Sequence, residues 1–102
     1  MSSKIASNAT LKTGCLAKRA RKRGMFSFTH WDDRLVSLHP TVIRYALPTG
    51  EVKGTFDLSD TATVESVEID KKLYAFRVHN GSEEFYLSCD TATNRDEWME
   101  AI

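Results

Sequence analysis

The sequence predicts a mostly-β domain: seven antiparallel strands in a bent sandwich or barrel, closed at one end by a single C-terminal α-helix. Three observations point there. Short runs of alternating apolar and polar residues recur from Lys12 to Cys89, the period of strands that bury one face. Turn signals separate them about every ten residues, the spacing of an all-β sandwich or barrel. From Thr91 onward the alternation stops, and Trp98, Met99 and Ile102 fall on one face of a helical period.

The first strand carries Gly14, Leu16 and Lys18 on one row and Cys15 and Ala17 on the other. Lys18-Arg19-Ala20-Arg21-Lys22-Arg23-Gly24 follows, five cations in seven residues. Ionised groups are costly to desolvate and like charges repel, so this run is expected as an exposed loop tip that turns at Gly24. Met25 and Phe26 come next, and Phe28 opens the second strand with its ring inside. Arg34, Val36 and Leu38 alternate against Leu35 and Ser37. His39-Pro40 ends that strand. Strand three is Thr41–Ala46 and Pro48-Thr49-Gly50 is a turn. Strand four is Val52–Leu58, with Gly54, Phe56 and Leu58 together. Strand five is Thr63–Ile69, where the slip between Val64 and Val67 predicts a bulge. Asp70-Lys71-Lys72 is a polar turn, Leu73–Val78 the sixth strand, Asn80-Gly81 a hairpin turn and Glu84–Cys89 the seventh strand. Thr91 or Thr93 is expected to cap the helix, with Asp96 and Glu97 in its first turns. Its stripe runs to the last residue, so the helix is expected to continue in a longer chain.

A chain of 102 residues reads as one domain, with a loose tail over 1–10 and the folded part over 11–102. Apolar residues are 41% and charged residues 27%, ordinary for a globular domain. The zero net charge conceals a split. Residues 1–50 hold nine Lys/Arg and two Asp, giving +7; residues 51–102 hold five Lys/Arg and twelve Asp/Glu, giving −7. Such a molecule can orient its basic end toward an anionic surface. The acid-free start also fits the profile of a transit peptide, but strand alternation already begins near Lys12 and the fold needs it. The basic run matches a nuclear localisation pattern too, as any basic loop does. Cys15 and Cys89 form no disulfide framework and are expected as two buried thiols. His30, His39 and His79 lack metal-ligand spacing. No apolar run reaches the roughly 20 residues of a membrane span. No nucleophile–base pair, metal cluster or phosphate-cradling glycine loop marks an enzyme, and no cofactor is implied.

Together these pieces resemble a pleckstrin homology (PH) domain over roughly residues 11–102. Gly14-Cys15-Leu16-Ala17-Lys18-Arg19 resembles the family's first-strand G-x-L-x-K-R. Phe28-Thr29-His30-Trp31 and Arg34-Leu35-Val36-Ser37-Leu38 resemble its second strand, F-x-x-W then R-x-x-x-L. Ile43-Arg44-Tyr45 resembles the L-x-Y of the third strand, and Lys53-Gly54-Thr55-Phe56-Asp57-Leu58 the K-G-x-I-x-L of the fourth. Phe85-Tyr86-Leu87, then Arg95-Asp96-Glu97-Trp98-Met99-Glu100-Ala101-Ile102, resemble the last strand and its R-x-x-W-x-x-A-I helix.

The resemblance implies a shell closed at one end by the helix. The other end is an open mouth rimmed by the loops joining strands 1–2, 3–4 and 6–7, where many members bind phosphoinositide headgroups. Lys18 and Arg34 fill the family's outer two basic positions and parity places both at the mouth. Arg44 and Lys53 are expected to join them, and the loop adds Arg19, Arg21, Lys22 and Arg23. Met25 and Phe26 are candidates for membrane insertion. One position departs from the pattern. The family has Lys or Arg two residues before Arg34; this chain has Asp32, which repels a ligand phosphate or pairs internally with Lys18 or Arg34. Two routes remain, loose electrostatic binding by the loop or a phosphate site on its outer face built by Arg19, Arg21 and Arg23. The expected function is a non-catalytic membrane-targeting module for anionic phospholipid, phosphoinositide foremost, in a cytoplasmic protein recruited to the membrane surface as a monomer. The alternative is a protein-interaction module on the same fold. Nucleic-acid binding is disfavoured by the acidic second half.

Overall fold

The computed structural model describes residues 9–22 and 28–102. Seven strands, β1 (Lys12–Lys22), β2 (Phe28–Leu38), β3 (Val42–Ala46), β4 (Val52–Asp57), β5 (Thr63–Ile69), β6 (Lys72–His79) and β7 (Glu84–Ser88), precede one helix, α1 (Ala92–Ala101). Every paired neighbour is antiparallel, and the order across the sheet is β4-β3-β2-β1-β7-β6-β5. β1 pairs with β2 over its whole length, from Lys12↔Leu38 to Lys22↔Phe28. It meets β7 at two register pairs only, Ala17↔Ser88 and Lys18↔Leu87. At that narrow junction the sheet folds over, and the inward rows of its two halves face each other. Between them lie Leu16, Val36, Leu38, Ile43, Phe56, Phe76, Val78, Phe85, Leu87 and Trp98, all buried.

The basic run is where structure and sequence expectation part. Lys18 to Lys22 continue β1 instead of forming the loop tip. Strand geometry accommodates this, because successive side chains leave on opposite faces, and Lys18 and Arg19 separate in that way. The register also sets Asp33 opposite Ala17 and Asp32 opposite Lys18, and opposite charges across strands are favourable. Smaller corrections follow similar logic. Cys15 is exposed, since it shares the outward row with Thr13; only Cys89 is buried. The irregularity in β5 lies between Val67 and Ile69, next to the hairpin. Asn80-Gly81 is not a two-residue turn. Asn80 opens a four-residue loop, its Oδ1 accepting from the backbone N–H of Ser82 and Glu83 at 3.1 and 2.9 Å, and Gly81 takes φ +100°. Of residues 1–10, expected as a loose tail, only Ala9 and Thr10 are described. The carbonyl of Ala9 lies 3.0 Å from Nδ1 of the buried His39.

Thr91 caps α1, its Oγ1 accepting from the Asn94 N–H at 3.1 Å. With the cap there, Asp96 and Glu97 fall beyond the first turn, where the helix dipole no longer favours them. Trp98 is 1% exposed and stoppers the shell against β1. Gly14 makes room for it: a Cβ on Gly14 would stand 3.2 Å from Cζ2 of Trp98. The ammonium of Lys12 covers the same ring at 5.3 Å.

Two outcomes test this packing. Gly14→Val forces the indole out of its seat and is expected to lower unfolding free energy by ~2 kcal/mol, read as an earlier denaturation midpoint at unchanged slope. Thr13→Val, on the outward row, should leave the midpoint nearly in place. The two thiols should also separate kinetically. Burial pushes the Cys89 thiol up to about 11, so an aromatic disulfide reagent near pH 8 should titrate Cys15 fast and Cys89 only at the rate of unfolding.

Candidate functional site

Lys18 continues the inward row of Gly14 and Leu16 to the point where the core ends. Its ammonium rests on two rings, 4.7 Å from the Tyr45 centroid on β3 and 5.4 Å from that of Phe85 on β7. Those rings lie 5.5 Å apart, and Phe56 stacks on Phe85 at 4.9 Å, so the seat is tied into the core. Gly54 on β4 permits it, because a Cβ there would meet the Tyr45 hydroxyl at 2.5 Å. Burial lowers the Lys18 pKa most, the nearby charge of Arg34 lowers it further, and Asp32 acts in the opposite sense.

Across from Lys18, alternate residues of β2 present His30, Asp32 and Arg34. The Oδ2 of Asp32 lies 3.0 Å from Nε2 of His30 and 3.6 Å from Nη2 of Arg34. Arg34 also donates through Nη1 to the carbonyl of Asp33 at 2.8 Å. The mouth therefore gathers two cations, one carboxylate and one histidine. The side chains of Asp32 and His30 are 36% and 40% exposed, so the group is open to a ligand.

Arg19 leaves β1 on the opposite face. Its Nε bonds Oδ2 of Asp70 at 2.9 Å, the same oxygen accepts from Nε1 of Trp31 at 3.1 Å, and the guanidinium covers Tyr86 at 5.0 Å. Asp70 and Lys71 take φ of 54° and 64° in the two-residue turn between β5 and β6, the geometry of a tight hairpin turn. The Arg19 hydrogen bond is the main reason the Asp70 carboxyl lies below its ordinary range; some burial opposes it and the Trp31 bond assists.

Arg44 and Lys53 do not converge on the mouth. Arg44 is exposed and borders an open groove of about 460 Å³ with Thr13, Cys15, Leu35, Ser37 and Val52, residues of the outward rows. It faces outward because Ile43 and Tyr45, on either side, take the inward row. Lys53 is the extra residue of a β-bulge, since Tyr45 pairs with Gly54 and Ala46 with Val52; it is exposed. Arg21 and Lys22 lie on β1, but their side chains are outside the described residues, as are Arg23, Met25 and Phe26. Residues not singled out from the sequence complete the picture: Tyr45 and Phe85 as the seat of Lys18, and Asp70 as the partner of Arg19. In the sequence Tyr45 and Phe85 enter only as parts of the family resemblance; the fold shows them meeting. Among the described residues no cluster of His, Cys, Asp or Glu could hold a metal ion, and no helix is long and apolar enough to cross a membrane.

This architecture is shared with solved structures. The C-terminal PH domain of pleckstrin superposes with a TM-score of 0.77 at 26% identity, covering 91% of this chain and 92% of that one. The same domain in complex with D-myo-Ins(1,2,3,5,6)P5 gives 0.75 at 28% identity, covering 91% of each chain. Its complex with D-myo-Ins(1,2,3,4,5)P5 gives 0.74 at 28% identity, over 91% and 94%. No curated protein matches the sequence closely. A family model for the PH domain matches residues 10–102, and with that span, the seven-stranded shell and the tryptophan-stoppered helix in agreement, the chain belongs to the PH domain family.

Proposed function

We propose that this chain is a non-catalytic membrane-targeting module that binds anionic phospholipid headgroups, phosphoinositides foremost, recruiting a cytoplasmic protein to the membrane surface. The observation that carries the reading is Lys18, held at the mouth on the Tyr45 and Phe85 rings within electrostatic reach of Arg34. PH domains are in general non-catalytic modules, and a relative 28% identical to this chain forms complexes with two inositol pentakisphosphates. Lys18 and Arg34 take the headgroup phosphate by charge-assisted hydrogen bonds. Arg21, Lys22 and Arg23, with Lys53 and Arg44 at the periphery, add attraction to the leaflet of roughly 1 kcal/mol for each residue close to it. Met25 and Phe26 insert beside them. Arg19 contributes least, because Asp70 already engages its guanidinium. The domain acts as a monomer.

One observation favours a second reading, a protein-interaction module. The groove beside Arg44 is bordered by the exposed apolar side chains Leu35 and Val52. A protein partner that stays bound to the triple variant Arg21→Glu, Lys22→Glu, Arg23→Glu would favour this role over lipid docking.

The lipid reading makes three demands. The protein should sediment with phosphatidylcholine vesicles carrying phosphatidylserine and a phosphoinositide at low salt, and release as salt rises; no sedimentation at low salt ends the proposal. Lys18→Gln should weaken that binding about tenfold, ~1.4 kcal/mol, with folding unchanged. The third concerns ionisation. Burial and Arg34 favour the neutral amine of Lys18, so its pKa lies below that of an exposed lysine, whereas a phosphate favours the ammonium. In a ¹³C-dimethylated sample the Lys18 resonance should titrate below the range of an exposed lysine as pH rises, and move to higher pH when soluble inositol phosphate is added.

A further inference from the structure

Asp32 is not simply a lost cation. Its Oδ2 is shared by His30 and Arg34, while its Oδ1 takes no hydrogen bond or ion pair from the described residues. That second oxygen lies on a partly exposed side chain directly across the strand pair from Lys18. The Cβ atoms of cross-strand partners stand about 5 Å apart, so a ring held by Lys18 comes within reach of Asp32. A carboxylate accepts a hydroxyl proton in a strong charge-assisted bond, but repels a phosphate, and like charges set against each other in a site cost several kcal/mol when desolvated. His30 and Arg34 hold Asp32 in place, so it does not simply swing aside as the ligand enters.

We infer that Asp32 makes this mouth selective for sparsely phosphorylated inositol headgroups, with one phosphate on Lys18 and Arg34 and a ring hydroxyl, rather than a second phosphate, against the free oxygen of Asp32. The inference rests on the phosphoinositide reading and adds its substrate class. The site is then one anion seat beside one hydroxyl seat. Asp32 is thereby a specificity-determining residue.

The test compares the native protein with Asp32→Asn and Asp32→Lys. One arm uses phosphatidylcholine vesicles carrying phosphatidylinositol 3-, 4- or 5-monophosphate, or the 3,4,5-trisphosphate, at matched total lipid charge. A second arm uses the corresponding soluble glycerophosphoinositol phosphates, followed by NMR shifts. At least one monophosphate should bind the native protein about fivefold more tightly than the trisphosphate does. Asp32→Asn removes the charge that both strengthens the hydroxyl bond and repels a second phosphate; it should shift the ratio of trisphosphate to monophosphate affinity about fivefold toward the trisphosphate. Asp32→Lys should reverse the order. A native preference for trisphosphate, no preference, or an equal shift of both ligands in Asp32→Asn overturns the inference and leaves the lipid reading standing. Discrimination in solution with no vesicle binding supports the hydroxyl seat and overturns membrane recruitment. Absence of binding in both arms overturns both.

Discussion

The two register pairs that join β1 to β7 decide where everything else can sit. Ala17 and Lys18 are the only residues of β1 that bridge the two halves of the sheet. Before them, Gly14 and Leu16 run through the core, under Trp98 and against the inward rows of β2 and β7. At Lys18 the enclosed volume ends, and the next residue on that row must be something that tolerates water. A lysine meets both demands: its methylene stem packs while its ammonium reaches the opening. The tryptophan stopper and the cationic mouth are thus two ends of one strand row, separated by a glycine and a leucine.

Much of this was legible from sequence because it depends on parity and punctuation. Alternation fixed which residues of β1, β2 and β4 point inward, and Pro, Gly and Asn marked most strand ends. The helix showed itself by its cap and by Trp98. What could not be read was anything set by contacts between distant segments. Arg19 looked like one more loop cation until Asp70, 51 positions away, was found against it. Arg44 looked like a rim residue from its strand alone, yet its row faces outward. Lys53 drops out of the alternation because it is the bulged residue, and no local signal in Val52-Lys53-Gly54 gives that away. Gly14 and Gly54 could be matched to a family pattern, but their cause, the approach of Trp98 and Tyr45, is visible only in three dimensions.

The charge split along the sequence is partly undone by the fold. β1 carries five of the fourteen Lys/Arg, and acids reach two of them, Asp32 from β2 across from Lys18 and Asp70 from the β5–β6 turn against Arg19. Arg77 on β6 is similarly flanked by Glu65 and Glu84. Such pairs on an exposed face add little stability. Their consequence is electrostatic: they thin the positive field on the outer face and leave the inner mouth as the place where Lys18 and Arg34 repel each other. A site on the outer face built around Arg19 must first displace Asp70, which also holds the Trp31 indole. The mouth asks for no such exchange from Lys18.

That difference bears on how a modest number of cations can recognise a headgroup. An exposed lysine must shed water and lose side-chain freedom when a phosphate arrives, and both oppose binding. Lys18 has met part of that cost during folding. Its ammonium is already partly dehydrated by burial, which also lowers its pKa, and the Tyr45 and Phe85 faces hold it by cation–π attraction, which is stronger where water is thinned. In the lipid reading proposed above, a phosphate bridging Lys18 and Arg34 relieves their mutual repulsion. Asp32 limits how far this goes. Its Oδ2, 3.6 Å from Nη2 of Arg34, offsets part of the same repulsion, which under the inference above favours one phosphate over two.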